Sequence, residues 1–277
     1  MVVGGESAAE QSAALRRRAE QAKASRAAGE RKAKGAPSAA KLTRDAKAWQ
    51  AGAVGEQRAA RALNRLNGPG VTVLHDVLLD PARAWNLDHV VVSPAGVLFV
   101  DSKNWRGDLT VFRGSLWRHW TAGPKAGRKS EDMAGEVGKV RGMAAQASER
   151  LGFPVLPVIC LAGSQSRQFQ GVAVVAGVTV LSVDAVHGWV RDGLAVMSSA
   201  DAAALGVRVR RVFPPATVQV AEDPSSIAAQ MRAGFAAARV PVQRSPVSPV
   251  LPAAPVGVPV AEAPVGRGRF RRLLGNG

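Results

Sequence analysis

One stretch, residues 86–103, constrains the fold more than any other part of the chain. It reads Asn-Leu-Asp-His-Val-Val-Val-Ser-Pro-Ala-Gly-Val-Leu-Phe-Val-Asp-Ser-Lys. Residues 88–92 and 97–103 have the β-branched and aromatic character of buried strands, and Pro94 and Gly96 punctuate them at a turn. If Val92 pairs with Val97, the antiparallel partners continue as Val91 with Leu98, Val90 with Phe99, His89 with Val100 and Asp88 with Asp101. Directly opposed side chains share a face, with Cβ atoms about 4.5–5.5 Å apart. Lys103, two residues beyond Asp101, shares that face too. A slip of one residue would separate the two carboxylates onto opposite faces.

Opposed like charges destabilise a strand pair unless something compensates them. A divalent cation would do so. Mg²⁺ is commonly held by one or two carboxylates, keeps several waters and accepts phosphate oxygens; Mn²⁺ is the other candidate. Such an ion polarises a phosphoryl oxygen, and a neighbouring lysine can stabilise charge developing on the phosphate. The plainer reading of Asp101 and Lys103 is a polar pair at a strand end.

Around this hairpin the sequence predicts a helix over residues 53–66, stopped by Asn67-Gly68-Pro69-Gly70. Glu56 shares a helical stripe with Ala59 and Leu63, which points it toward the sheet; the plainer reading is a first-turn glutamate interacting with the helix dipole. A strand is expected at 71–74, and two short strands should flank Arg113-Gly114-Ser115. A long helix over 130–151 should end at Gly152. A buried strand over 153–161, a strand or hairpin over 172–181 and a short helix over 183–191 follow. This order is α/β around a mixed sheet.

The hairpin and its surroundings resemble the nuclease-related domain (NERD) family, grouped with the PD-(D/E)xK nucleases. The resemblance rests on Gly55-Glu56 opening a helix, on residues 86–92, and on residues 96–107, Gly-Val-Leu-Phe-Val-Asp-Ser-Lys-Asn-Trp-Arg-Gly. It covers residues 52–165. It implies a restriction-endonuclease-like αβββαβ core, divalent-metal phosphodiester chemistry and a role in DNA processing. By position it makes Asp88 and Asp101 metal ligands, Lys103 the catalytic lysine and Glu56 the acid that completes the site. Asp101 stands where glutamate is commoner in the family, one methylene shorter.

The flanks differ from the folded region at 51–213. Residues 1–50 hold eleven Lys/Arg against five Asp/Glu, with Leu15, Leu42 and Trp49 as isolated large apolar residues. A helix there would have no large apolar face to bury, so a solvated basic arm, helical or disordered, is expected. Residues 214–277 should form a Pro/Val-rich linker and a flexible basic tail, with Arg267, Arg269, Arg271 and Arg272 around Phe270.

The formal net charge of +16 over 277 residues favours a polyanionic partner. Nucleic acid, above all DNA, is the first choice. A weak contact of Phe270, Leu273, Leu274 and the tail arginines with anionic lipid is the other. Trp105, Arg106, Arg113 and Arg118 interleave aromatic and basic character and form a weak candidate nucleic-acid surface. Their plainer reading is core-packed indoles beside solvated guanidinium groups. Cys160, the single cysteine, permits no disulfide within the chain and lies in an apolar run, as expected of a buried, inert thiol. His75, His89, His119 and His187 lack ligand-type spacing, and His89 alternates away from the Asp88 face. No apolar run of transmembrane length or secretory leader is visible, so a cytoplasmic protein is expected. Two classes of function remain: a metal-dependent nuclease, and a catalytically weak nucleic-acid-binding or scaffold protein retaining the same fold.

Overall fold

In the computed structural model, the described residues are 5–29, 35–80, 85–121, 127–163, 169 and 171–216. The expected hairpin forms in the expected register. Strand β2 (Trp85–Ser93) pairs antiparallel with β3 (Gly96–Lys103) through Val92 with Val97, Val91 with Leu98, Val90 with Phe99 and His89 with Val100. One further pair, Ser93 with Gly96, tightens the turn. Strand β1 (Thr72–Asp80) runs antiparallel on the other side of β2 and is longer than the four residues expected.

The hairpin is the inner part of a six-stranded mixed sheet. Strand β7 (Val155–Leu161) lies parallel to β3, followed by β9 (Val178–Ser182) and its antiparallel hairpin partner β8 (Val172–Val175). A separate three-stranded antiparallel sheet comprises β4 (Asp108–Phe112), β5 (Ser115–Thr121) and β6 (Arg128–Asp132).

Alternation along the strands decides what each face packs against. Val90, Val92, Val97, Phe99, Ile159 and Leu161 are buried together with Val137, Val140 and Ala144 of α3 (Ala134–Leu151) and with Ala202 and Val209 of α5 (Ser199–Val212). Val91, Leu98, Val100, Val158 and Cys160 are buried with Ala59 and Leu63 of α2 (Ala39–Leu63) and with Val186 and Val190 of α4 (Val183–Arg191). Helices thus cover both faces of the sheet. The chain order α2, β1, β2, β3, α3, β7 is the αβββαβ order, with the small sheet inserted between β3 and α3.

Several boundaries move. Residues 128–132 are an edge strand rather than the start of the long helix. Their run of Arg, Lys, Ser, Glu and Asp has no apolar stripe to bury, and pairing with β5 satisfies its backbone instead. Helix α3 ends where expected, at Gly152, whose φ of 61° is the left-handed cap that glycine adopts without strain. Helix α5 enters with the structure alone.

The largest revision is at the N-terminus. Helix α2 begins at Ala39, capped by the Ser38 hydroxyl accepting from Lys41 N at 3.2 Å, so position 50 falls inside a continuous helix. Helix α1 (Glu6–Ala27) packs against it. Ala8, Ser12 and Ala19 are buried, as are Leu42 and Ala46, and Ser12 Oγ donates to Ala46 O at 2.9 Å. Small side chains let two helices approach closely, so this interface needs no leucine stripe. The expectation of a helix without a burial face is therefore corrected. Residues 214–216 also join the fold, with Leu78 N donating to Pro214 O and Ala216 N to Asp76 O, each at 2.8 Å. The rest of the expected linker and tail, residues 217–277, lies outside the described residues.

Candidate active site

The C-terminal end of β3 gathers charge. Asp101 is almost fully buried there. Lys103 Nζ lies 2.9 Å from Asp101 Oδ2 and 3.2 Å from Glu136 Oε2, in the first turn of α3. Apart from that ammonium, Asp101 Oδ2 has no hydrogen-bond partner among the described residues. Backbone bonding holds the strand end: Ala162 N donates to Lys103 O at 2.9 Å.

Asp88 comes from β2, one residue beyond the last registered pair, His89 with Val100. Its Oδ2 accepts from Ser102 N at 2.8 Å. Burial, followed by the charge of Asp101, pushes the Asp88 carboxyl up to about 7, against the lowering influence of Lys103 and the Ser102 N–H. Burial also works against the Lys103 ammonium, but Asp101, Glu136 and Asp88 outweigh it and hold this lysine above its ordinary range.

Glu56 approaches from α2. Gly55 permits this approach, because a Cβ there would stand 2.8 Å from Asn104 Cβ, just past the end of β3. Asn104 Nδ2 also donates to Ala51 O and ties the post-strand loop to the helix. Burial, then the charges of Asp88, Asp76 and Asp101, push the Glu56 carboxyl up to about 9. Ala59 and Leu63, on the same stripe, are fully buried. The four sequence candidates Glu56, Asp88, Asp101 and Lys103 therefore fall within electrostatic reach of one another.

Two acids were not singled out by sequence. Glu136 falls well inside a helix that starts at residue 130, whereas α3 begins at Ala134 and puts it in the first turn. A first-turn glutamate placed after the apolar Met133 was the available signal. Asp76 sits inside an apolar strand run, an unusual place for an acid. It is buried, has φ of 49°, and accepts from Ser7 N at 3.1 Å, Ser7 Oγ at 2.9 Å and Asn86 Nδ2 at 2.9 Å.

Behind the site runs a buried polar chain. His75 Nε2 is 2.9 Å from Asn64 Oδ1, His75 Nδ1 is 2.9 Å from His89 Nδ1, and His89 Nε2 is 2.9 Å from Ser102 Oγ. Burial lowers the basicity of both imidazoles, His89 strongly. With both rings neutral, one consistent direction has Ser102 donating to His89, His89 to His75 and His75 to Asn64. Cys160 is buried, and burial followed by the charges of Asp101 and Asp88 pushes its thiol up to about 12. It is not a thiolate nucleophile.

The weak nucleic-acid candidates divide. Arg106 is exposed, and Trp105 is half-buried against the core. Arg113 lies at the β4–β5 turn with its guanidinium 5.1 Å from the Phe112 ring centre. Arg118 is engaged internally, 2.6 Å from Glu131 and 4.6 Å from the Trp120 ring centre.

Among the described residues, no three His, Cys, Asp or Glu side chains are gathered tightly enough to hold a metal ion between them. Mg²⁺ does not demand three, since it binds through one or two carboxylates with waters and substrate phosphates filling its remaining positions. The donors here are carboxylate oxygens suited to a hard cation. The Asp88 and Glu56 carboxyls are raised by burial first and by their neighbouring carboxylates second, and a bound cation would offset both.

The family model described as Nuclease-related domain matches residues 51–163, from within α2 to just past β7. Comparison with curated proteins and with solved structures finds no match. No helix among the described residues is long and apolar enough to cross a membrane.

Proposed function

Taking a nuclease-related domain at residues 51–163 as premise, we propose that this chain is a divalent-metal-dependent nuclease that hydrolyses phosphodiester bonds in DNA. The observation that carries the reading is that Asp88, Asp101 and Glu56, from three different elements, lie close enough to act on one another's charge beside the sheltered Lys103 ammonium, which pairs with Asp101 at 2.9 Å. Asp88 and Asp101 would hold Mg²⁺ or Mn²⁺, with Glu56 as the third acid. Bound there, the ion supplies Lewis-acid stabilisation of charge on the scissile phosphate.

The remaining roles belong to the chain itself. Lys103 is held above its ordinary range, so near neutral pH it keeps its proton. It acts as a fixed cation and hydrogen-bond donor towards the phosphate rather than as a base. Glu136 and Asp101 orient that ammonium from two sides. Ser102 N holds Asp88, and the buried histidine chain fixes the Ser102 side chain. Arg106 and Arg113, both exposed, are available to phosphates.

The test is incubation of the full chain with supercoiled plasmid and linear duplex, with Mg²⁺, with Mn²⁺ and with a chelator, beside Lys103→Ala. Metal-dependent cleavage should fall roughly 100-fold or more in the variant, while DNA binding in chelator stays within a few-fold. Equal cleavage by the two proteins would refute the assignment of Lys103. Binding without cleavage under every metal condition would favour the scaffold reading.

A further inference from the structure

The small sheet grows directly out of the candidate site. Strand β4 begins five residues after Lys103, and β6 ends four residues before Glu136. The β4–β5 hairpin is held to the core along its length: Leu109 packs there near its base, and next to the turn Leu116, paired with Val111, is fully buried and its O accepts from Met133 N at 2.9 Å. The β4 side of the tip and the turn itself are not covered. Phe112 is 59% exposed, the largest aromatic side chain so placed among the described residues.

The turn at this tip is also unusual. Phe112 pairs with Ser115 around Arg113 and Gly114, whose φ values are 50° and 76°. A two-residue turn with both φ positive suits the twist of a hairpin, but Asn, Asp or Gly normally fills its first position. Arginine in the left-handed region costs about 1–2 kcal/mol, and such strain concentrates at functional positions. The sequence thus places a cation beside an uncovered aromatic ring, and the two stack at 5.1 Å. By register, Asp108, Thr110, Ser115, Trp117 and His119 share the Phe112 face, and Asp108 is offset by Arg128 at 3.5 Å.

We propose that the β4–β5 tip is a DNA wedge, with Phe112 entering between adjacent base pairs of a duplex held at the candidate site while Arg113 engages the flanking phosphate. This rests on the nuclease reading for its choice of partner. Charge supports that choice: Arg106, Arg113 and Lys129 are exposed, and none has an ion pair among the described residues. One exposed ring is too small for a protein interface, which needs about 800 Å² from each partner. A single apolar side chain driven into a base step is a recognised way to kink a duplex. Five strand residues span about 17 Å, so the tip lies within several base pairs of the site it grows from.

The experiment uses the full chain in chelator, where nothing is cleaved, and duplexes carrying 2-aminopurine at successive positions. Wild type should raise the fluorescence at one step, reporting unstacking. Phe112→Ala should abolish that rise and weaken duplex binding about tenfold, within the range for loss of one base–aromatic stack. Phe112→Trp should retain both. Phe112 is mostly exposed, so the melting temperature of Phe112→Ala should match wild type. No rise with wild type, an equal rise with Phe112→Ala, or failure to bind duplex would each overturn the wedge. Mg²⁺-dependent cleavage by wild type, measured separately, keeps the two readings apart. Cleavage without unstacking removes the wedge alone, and unstacking without cleavage removes the nuclease alone.

Discussion

Lys103 Nζ lies 2.9 Å from Asp101 Oδ2, and both side chains are largely withdrawn from water. The two strand-end carboxylates are consequently unequal. Asp101 has an internal counter-ion, whereas Asp88 has only the Ser102 N–H and more distant cations. A sheltered pair is costly to break from one side, because the remaining charge stays buried.

This asymmetry predicts opposite effects for two similar substitutions. Asp101→Asn should lower the metal-free melting temperature, since Lys103 loses its nearer partner. The penalty for a fully buried pair is about 3–5 kcal/mol, and Glu136 at 3.2 Å should reduce it here. Asp88→Asn should raise the melting temperature slightly at about pH 8, because it removes a carboxylate disfavoured by burial and by Asp101 while still accepting from Ser102 N. Both should lose the melting shift on adding Mg²⁺. Retention of the full shift by either would remove that residue as a ligand.

The pH dependence of the metal-free protein follows from Glu56 and Asp88, pushed up to about 9 and about 7. Between their unfolded and folded values the native state holds protons that the unfolded state has released, so stability falls as pH rises. The melting temperature should therefore decline by several degrees from about pH 5 to about pH 9. Glu56→Gln should flatten the upper part of that decline. Mg²⁺ favours the ionised carboxylates, so its affinity should increase over the same interval. A melting temperature that rises from pH 5 to pH 9 without metal would contradict the electrostatic account.

Gly55→Ala tests how Glu56 is delivered. The added methyl group would meet Asn104 Cβ at 2.8 Å, and the helix or the loop must yield. Overpacking of this kind costs about 1–3 kcal/mol. Cleavage should fall more than the loss of folded protein explains, as Glu56 moves with its helix. Unchanged melting and unchanged activity would show that the approach is not critical.

Removal of residues 1–29 should destabilise the domain. It would uncover Leu42 and Ala46 and strip Asp76 of both Ser7 donors. A drop of several degrees in melting temperature is expected. A truncated chain that melts like the full one would make α1 an appendage.

The hairpin register was legible from its turn rather than from hydropathy. With Val91, Leu98 and Val100 on one side and Val90, Val92 and Phe99 on the other, both faces are apolar, and the Pro-Ala turn selects the pairing. Once Val92 meets Val97, the alternation of side chains puts Asp88, Asp101 and Lys103 on one face. The stripe of Ala59 and Leu63 likewise indicated that Glu56 faces the sheet.

What the sequence determined by itself was thus local periodicity: the elements of the αβββαβ core, the hairpin register and the strand-end acids. Tertiary structure decided what lies between elements. Glu136 reaches Lys103 from a helix 33 positions later in the chain, and Ser7 reaches Asp76 across 69. Helix α1 finds its place through alanine and serine, whose small side chains leave no hydropathy signal although they allow close packing. Periodicity reports which way a side chain points, because that depends on its neighbours in the chain. Which charges meet there depends on the packing of distant segments.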